Sequence, residues 1–342
     1  MLTQYGLSDA SVAPLGTGLI NETFLVTSPD DTRYVLQRIN PVFNPKIICD
    51  IDKLTRHLES CGETTHRLVP VSLEPRRLWV ELEGRYWRLA TYIPGVCYDR
   101  LENNRQAESA GRLLGRFHSK VSGLEIKLQG ERLGVHDTVR HLANLEKALD
   151  VHRAHRNYEA AARLGERVLS AAAALPSLPE LPDRLVHGDP KISNLVFAAD
   201  SGAGVCMIDL DTLAYMPLPL ELGDAIRSWC NPRGEDETAA SFNMDYFTAA
   251  MKGYASESKT LLLPDEWRSF VPAASTIMVE LAARFTTDAL EESYFGWNAE
   301  RFADRSAHNL IRAEGQLNLQ RVFADEQAQA QAAVLEAFGD SG

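Results

Sequence analysis

The stretch Leu185-Val186-His187-Gly188-Asp189-Pro190-Lys191-Ile192-Ser193-Asn194-Leu195-Val196-Phe197 constrains this chain more than any other part of it. Two short apolar runs flank a polar turn, in which Asp189 is followed by Lys191 and Asn194. A third apolar run, Val205-Cys206-Met207-Ile208, ends in Asp209. Runs of this length bounded by turn residues read as short strands. The polar residues between them fit phosphoryl transfer. A carboxylate orients the attacking hydroxyl and accepts its proton, and a cation balances the γ-phosphate. An amide oxygen and a second carboxylate are hard ligands suited to Mg2+. On that reading Asp189 is the base, Lys191 the cation, and Asn194 and Asp209 the metal ligands. Mg2+ is the implied metal.

The chain has 342 residues, enough for a large core and two lobes. Its net charge of -12 argues against general binding to nucleic acid or anionic membranes, where a basic footprint is expected. A local pocket with a metal ion can still take an anionic nucleotide. The five cysteines include no C-x-x-C pair and read as reduced thiols in a cytoplasmic protein. Residues 1–9 lack a basic-then-apolar signal pattern. No stretch approaches the ~20 apolar residues of a membrane span.

The pattern changes partway along. Thr23–Val26 and Arg33–Arg38 are two strand-like runs split by Ser28-Pro29-Asp30-Asp31, a hairpin signature. Ile47, Ile48, Ile51, Leu54 and Leu58 recur at helical spacing, so residues 46–60 are predicted as an amphipathic helix. Strands are expected around Leu68–Val71, Leu78–Glu81 and Tyr86–Tyr92. Ile93-Pro94-Gly95 then breaks the pattern. Beyond it, helices are expected around 107–121, twice within 138–173, and over 221–229, 240–254, 265–290 and 299–336. The expected architecture is α+β, with a small antiparallel β lobe carrying one helix (residues 1–93) and a larger, mainly helical lobe (residues 94–342).

The spacing of the catalytic turn resembles the protein-kinase catalytic loop, with Gly188 where that loop usually has Arg. His-Gly-Asp is typical of the aminoglycoside phosphotransferase and choline kinase branch of the bilobal protein-kinase-like fold. This resemblance implies a nucleotide loop at Gly16-Thr17-Gly18, which by itself reads equally well as a tight turn. Asn21 and Thr23 follow it directly. The small-lobe cation is expected on the third strand, where Gln37 occupies the aligned position. Neighbouring strand residues face opposite ways, so Arg38 is a phosphate-contact candidate only with a local irregularity. The partner acid is open among Asp50, Asp52 and Glu59. Thr91-Tyr92-Ile93-Pro94-Gly95 resembles the interlobe hinge, placing Tyr92 against the nucleotide. An acid at Asp224 is expected to brace the catalytic loop, and His187 is either a packed anchor or a proton carrier.

Segments outside the loop, including Gly18–Phe24, Tyr34–Phe43, Ile208–Thr212, Glu280–Asp288 and Tyr294-Phe295, are similar to the N-acetylhexosamine kinases of this branch. That resemblance implies ATP-dependent phosphorylation of the anomeric hydroxyl of a small sugar, N-acetylglucosamine or N-acetylgalactosamine, with Arg284 and Tyr294 holding it. The alternatives are kinases of another small alcohol, such as homoserine, choline or an aminoglycoside, and a catalytically inert nucleotide-binding scaffold. Retention of Asp189, Asn194 and Asp209 disfavours the scaffold. The histidines show no zinc-like spacing, and no Gly-x-Ser-x-Gly elbow occurs. The preferred sugar epimer, nucleotide selectivity and oligomeric state stay open.

Overall fold

The structure, a computed structural model, describes residues 1–16, 20–131 and 134–339. Its N-terminal part is an antiparallel sheet of β1 (Ser11–Pro14), β2 (Glu22–Thr27), β3 (Arg33–Arg38), β4 (Val80–Leu82) and β5 (Arg85–Thr91), in the order β1-β2-β3-β5-β4. Helix α1 (Ile47–Ser60) connects β3 to β4. The β2–β3 hairpin closes where Asp31 adopts φ 62° and its N–H reaches the Ser28 carbonyl. Asp tolerates that left-handed conformation better than most residues. Leu68 makes a single bridge to Ala90, so the strand expected over Leu68–Val71 is only an edge contact.

The larger lobe contains α2 (Asn104–Val121), α3 (Thr138–Val151), α4 (Tyr158–Ala173), α5 (Leu218–Trp229), α6 (Met244–Ser258), α7 (Pro264–Arg268), α8 (Phe270–Glu291) and α9 (Arg305–Phe338). Four short strands, β6 (Asp183–Val186), β7 (Leu195–Phe197), β8 (Gly204–Met207) and β9 (Ala214–Pro217), pair as β6–β9 and β7–β8. The one helix expected over 265–290 is two, divided at Ser269. In an unbroken helix the Pro272 ring would meet the Arg268 carbonyl. The chain restarts instead, leaving Pro272 in the first turn of α8, where no N–H is needed. Helix α9 begins later than expected because the Asp304 carboxylate caps it, accepting the Ala307 N–H at 2.7 Å. Among the described residues, no helix is long and apolar enough to cross a membrane, and all five cysteines are free.

Several contacts join the lobes. The apolar face of α1 shares one core with α2 and the strands of the catalytic turn, while the sheet packs its own cluster around Val26, Leu36, Val80 and Leu89. The buried Asp50 carboxylate also accepts the Gln129 and Gly130 N–H groups, at 2.7 and 2.8 Å. Helix α1 is thereby docked on the larger lobe. At the hinge, Val96 pairs with Phe197 of β7. A Cβ on Gly95 would lie 2.4 Å from Val196 Cγ1, so the crossing chain needs glycine there.

Helices α2 and α6 meet backbone to backbone. A Cβ on Gly111 would sit 2.0 Å from the Ala250 carbonyl oxygen, and one on Gly253 would sit 1.9 Å from that of Glu108. Helix propensity alone favours Gly253→Ala by about 1 kcal/mol. The overlap reverses that sign, because two rigid backbones must separate. Gly253→Ala is expected to destabilise the protein by about 1–3 kcal/mol in denaturant melts; a stabilised variant would contradict this packing.

Candidate active site

The catalytic turn leaves β6 at Val186 and is held from three sides. The Glu221 carboxylate, in the first turn of α5, accepts the His187 N–H at 3.0 Å and the Gly188 N–H at 2.8 Å. The fully buried His187 ring donates through Nε2 to the Ile208 carbonyl at 2.9 Å and accepts the Asp189 N–H at 3.3 Å. Trp229 Nε1 donates to the Pro190 carbonyl at 2.8 Å. Gly188 sits at φ 82°, and a Cβ there would lie 2.1 Å from the Thr212 carbonyl oxygen. No side chain fits, which explains glycine where related loops carry Arg.

The brace is Glu221, and not Asp224 as expected from the sequence. Asp224 lies one turn further along α5 and pairs with Arg227 at 2.8 Å. Glu221 is fully buried, and burial opposes its ionisation, but the His118 contact at 3.3 Å outweighs this and holds its carboxyl below the usual range. His187 has the geometry of an anchor, with both ring nitrogens engaged by backbone.

The turn delivers three of the expected groups to one place. Lys191 Nζ lies 2.5 Å from Asp189 Oδ2, and Asn194 Nδ2 donates to the same oxygen at 3.1 Å and to the Asp189 carbonyl at 2.8 Å. Spending its amide nitrogen this way leaves Asn194 with an oxygen to offer a cation. Burial works against ionisation of Asp189, yet the Lys191 ammonium holds its carboxyl below the ordinary range. Lys191 is likewise held charged against burial by Asp189 and Asp209.

Asp209 differs. It follows β8 at φ 64°, a left-handed conformation that costs a non-glycine residue energy. Burial and then the neighbouring Asp211 push its carboxyl up to about 6. A half-buried carboxylate strained towards its acid form is what a cation would relieve. Asn194 and Asp209 together offer hard oxygen donors of the kind Mg2+ takes, alongside water and phosphate oxygens. Among the described residues, no cluster of three His, Cys, Asp or Glu side chains is placed to hold a metal without such help.

Asp211 is buried and already satisfied. Arg88, on β5, grips it through Nη1 at 2.6 Å and Nη2 at 2.8 Å, and Asn21 Nδ2 donates at 2.7 Å. Gln37 Oε1 accepts from Arg88 Nε and Nη2 at 3.0 and 2.7 Å. Burial and the Arg88 charge depress the adjacent His66 imidazole to about 4. Arg38, the sequence candidate for this region, lies on the other side of β3, where it is ion-paired with Glu22 beside the Trp87 ring. The pleat, which sends Gln37 inward, sends Arg38 away. None of the three candidate acids on α1 reaches the site. Asp50 is docked on residues 129–130, Asp52 pairs with Arg56 and Arg67, and Glu59 lies 3.7 Å from Arg67.

Gly16 has φ 73° and open space around its α-carbon; Gly18 lies outside the described residues. In the hinge the Arg33 guanidinium covers the Tyr92 ring at 4.3 Å. On the large-lobe side, Arg284 sits 3.8 Å from the buried Glu280 and over the Tyr294 and Phe295 rings, at 6.0 and 5.5 Å. Glu280 also accepts from His136 Nδ1 at 2.9 Å and Thr138 Oγ1 at 2.6 Å. The Asp288 carboxylate fixes the Tyr294 loop by accepting the N–H groups of residues 293–295. Sequence reasoning missed Arg88, Glu221, His136 and the role of Glu280. Arg88 stands opposite Gln37 in the β3–β5 register, a pairing that strand periodicity does not reveal.

Asp209 makes a testable stability signature. Its carboxyl titrates at about 6 in the folded chain against 3.8 ordinarily. The folded state therefore binds the proton more tightly, and ionised Asp209 costs stability at neutral pH. Asp209→Asn is expected to raise the metal-free unfolding free energy at pH 7, by no more than about 3 kcal/mol. The gain should fade as pH falls towards 4, while phosphotransfer is lost. A variant less stable than the parent at pH 7 would refute this account.

Residues 11–256 match the family described as Phosphotransferase enzyme family. Solved structures share the fold at low identity. A microcompartment-associated aminopropanol kinase has a TM-score of 0.63 at 17% identity, covering 95% of this chain and 96% of its own. An amicoumacin kinase solved with AMP-PNP, Ca2+ and Ami has a TM-score of 0.61 at 14% identity, covering 90% and 87%. An aminoglycoside phosphotransferase in ternary complex with ADP and hygromycin B has a TM-score of 0.53 at 12% identity, covering 92% and 96%. With the kinase-like bilobal fold and the match over most of its length, this chain belongs to the phosphotransferase enzyme family, the ATP-dependent phosphotransferases of small molecules.

Proposed function

We propose that the chain transfers the γ-phosphoryl group of ATP, with Mg2+, to the anomeric hydroxyl of an N-acetylhexosamine, N-acetylglucosamine or N-acetylgalactosamine. The nucleotide lies between the small lobe, residues 1–93, and the large lobe, residues 94–342. Gly16, at the start of the glycine turn, faces its phosphates, and Tyr92 marks the hinge against its base. Arg38, turned towards Glu22, supports the outer face of the sheet in this reading instead of a phosphate.

Asp189 orients the acceptor hydroxyl and takes its proton as the O–P bond forms. An anomeric hydroxyl is more acidic than an ordinary alcohol, so a carboxylate held at low basicity by Lys191 suffices when alignment is good. Lys191 then balances charge on the transferred group. Asn194 and Asp209 would hold the metal, which supplies further charge neutralisation to the phosphates.

The observation that carries the choice of acceptor is that four large-lobe carboxylates, Glu280 beside Arg284 and also Asp288, Asp224 and Asp236, are already paired. Glu280 is taken by His136, Thr138 and Arg284, Asp288 by backbone N–H groups, and Asp224 by Arg227. Asp236 is taken by His308 and Arg312, each at 2.8 Å. A cationic acceptor needs an uncompensated acid. A neutral acetamido sugar needs planar donors and an aromatic wall, which Arg284 and Tyr294 provide. An amino-alcohol acceptor, as in the aminopropanol kinase sharing the fold, is the second reading.

Incubation with Mg·ATP and a panel of N-acetylhexosamines, ethanolamine, choline, aminopropanol and hygromycin B separates these readings. The expected result is ADP release with the hexosamines and loss of the reducing end, because phosphorylation at C1 blocks it. A product that stays reducing, or turnover of the amines alone, rules out the 1-kinase assignment. Asp189→Asn should cut turnover ~10²–10⁴-fold while ADP still binds; turnover within twofold of the parent would remove Asp189 from its role.

A further inference from the structure

We propose that Arg88 is the small lobe's phosphate-binding cation, supplied by β5 in place of the third strand and stored on Asp211 when no nucleotide is bound. The inference rests on the phosphotransferase activity of the family and is independent of which acceptor is used.

Kinases of this fold place a Lys on the third strand against the nucleotide phosphates. Here the inward residue of β3 is the neutral Gln37, and the adjacent cation, Arg38, is paired with Glu22 on the other face. Arg88 is the direct cross-strand neighbour of Gln37. Opposite residues of an antiparallel pair share a face with their β-carbons only about 5 Å apart. A long side chain at 88 therefore reaches the space a cation at 37 would fill. Gln37 directs it there, since its Oε1 accepts from both Nε and Nη2. The guanidinium ends two residues beyond Asp209 and beside Asn21, which follows the glycine turn.

The acid has moved with the cation. Asp50, Asp52 and Glu59 on α1 are all committed elsewhere. Asp211 takes their place as the counter-ion, with side chains of Asp211 and Arg88 only 1% and 3% exposed. A buried ion pair is weak as a stabilising device, because desolvation cancels most of the attraction. It is well suited to storing a charge. Phosphate oxygens present the same two-point geometry to a guanidinium as a carboxylate does, so a diphosphate can exchange with Asp211. Asn21 keeps one hydrogen bond to the released carboxylate.

The test is titration of the full-length chain with ADP and with adenosine, each with and without Mg2+, for Arg88→Gln, Arg88→Lys and Asp211→Asn. The ratio of ADP to adenosine affinity within one preparation is independent of the folded fraction. Arg88→Gln should lower that ratio by about tenfold or more, and Arg88→Lys should retain part of it. Asp211→Asn should leave the metal-free ratio unchanged or raise it, since the phosphate no longer competes with a carboxylate. Equal loss of ADP and adenosine binding in Arg88→Gln would show a structural clamp and overturn the proposal. So would an Asp211→Asn variant that loses metal-free ADP as severely as Arg88→Gln.

Discussion

One buried carboxylate, Glu221, holds the catalytic turn to everything around it. It occupies both N–H groups at the start of the turn, and it meets His118 of α2, whose other ring nitrogen lies 2.8 Å from the Tyr254 hydroxyl of α6. A single side chain thus ties β6, α2, α5 and α6 together. The backbone of the turn has no sheet partner at His187 and Gly188. Without an acceptor there, two buried N–H groups would pay the full cost of desolvation. With it, the turn is rigid enough to hold Gly188 against the Thr212 carbonyl and to aim Asp189 and Asn194 at a common point.

Two neighbouring carboxylates, Asp189 of the turn and Asp209 after β8, live in opposite environments. Asp189 is next to Lys191 and stays ionised. Asp209 is driven towards its acid form by burial and Asp211. Under the proposed function this asymmetry divides labour, with Asp189 orienting an acceptor hydroxyl and Asp209 taking a cation. The backbone strain at Asp209 belongs to the same design, since strained and electrostatically frustrated residues collect where function requires them.

The lobes are joined unequally. Helix α1 is fastened to the large lobe through its apolar face and through Asp50. The sheet touches the loop after β8 through hydrogen bonds of Arg88 and Asn21 to Asp211. The helix is thus fixed to the large lobe by apolar packing, while the sheet meets it through a polar seam. With Asp50 docked on residues 129–130, α1 offers no acid to β3, which carries no lysine to pair with one.

The catalytic turn was legible in the sequence because its chemistry is local. Asp189, Lys191 and Asn194 lie within six consecutive residues, and two strands and a 3-10 turn bring them together with few other choices. Amphipathic spacing likewise marked α1, since one helix face repeats on its own period. The brace at Glu221 in place of Asp224, and the turning of Arg38 towards Glu22, were decided elsewhere. In each case the outcome depends on the rotation of a helix or the pleat of a strand against a distant partner. The division of α7 from α8 at Ser269 was not read from the sequence, although Pro272 is incompatible with an unbroken helix there. Sequence by itself determined that Asp189, Lys191 and Asn194 meet in one turn, which short-range spacing fixes. Tertiary structure alone decided which carboxylate braces that turn, which arginine pairs with Asp211 and which acids are already neutralised, because burial and pairing are properties of surfaces the chain makes only after folding.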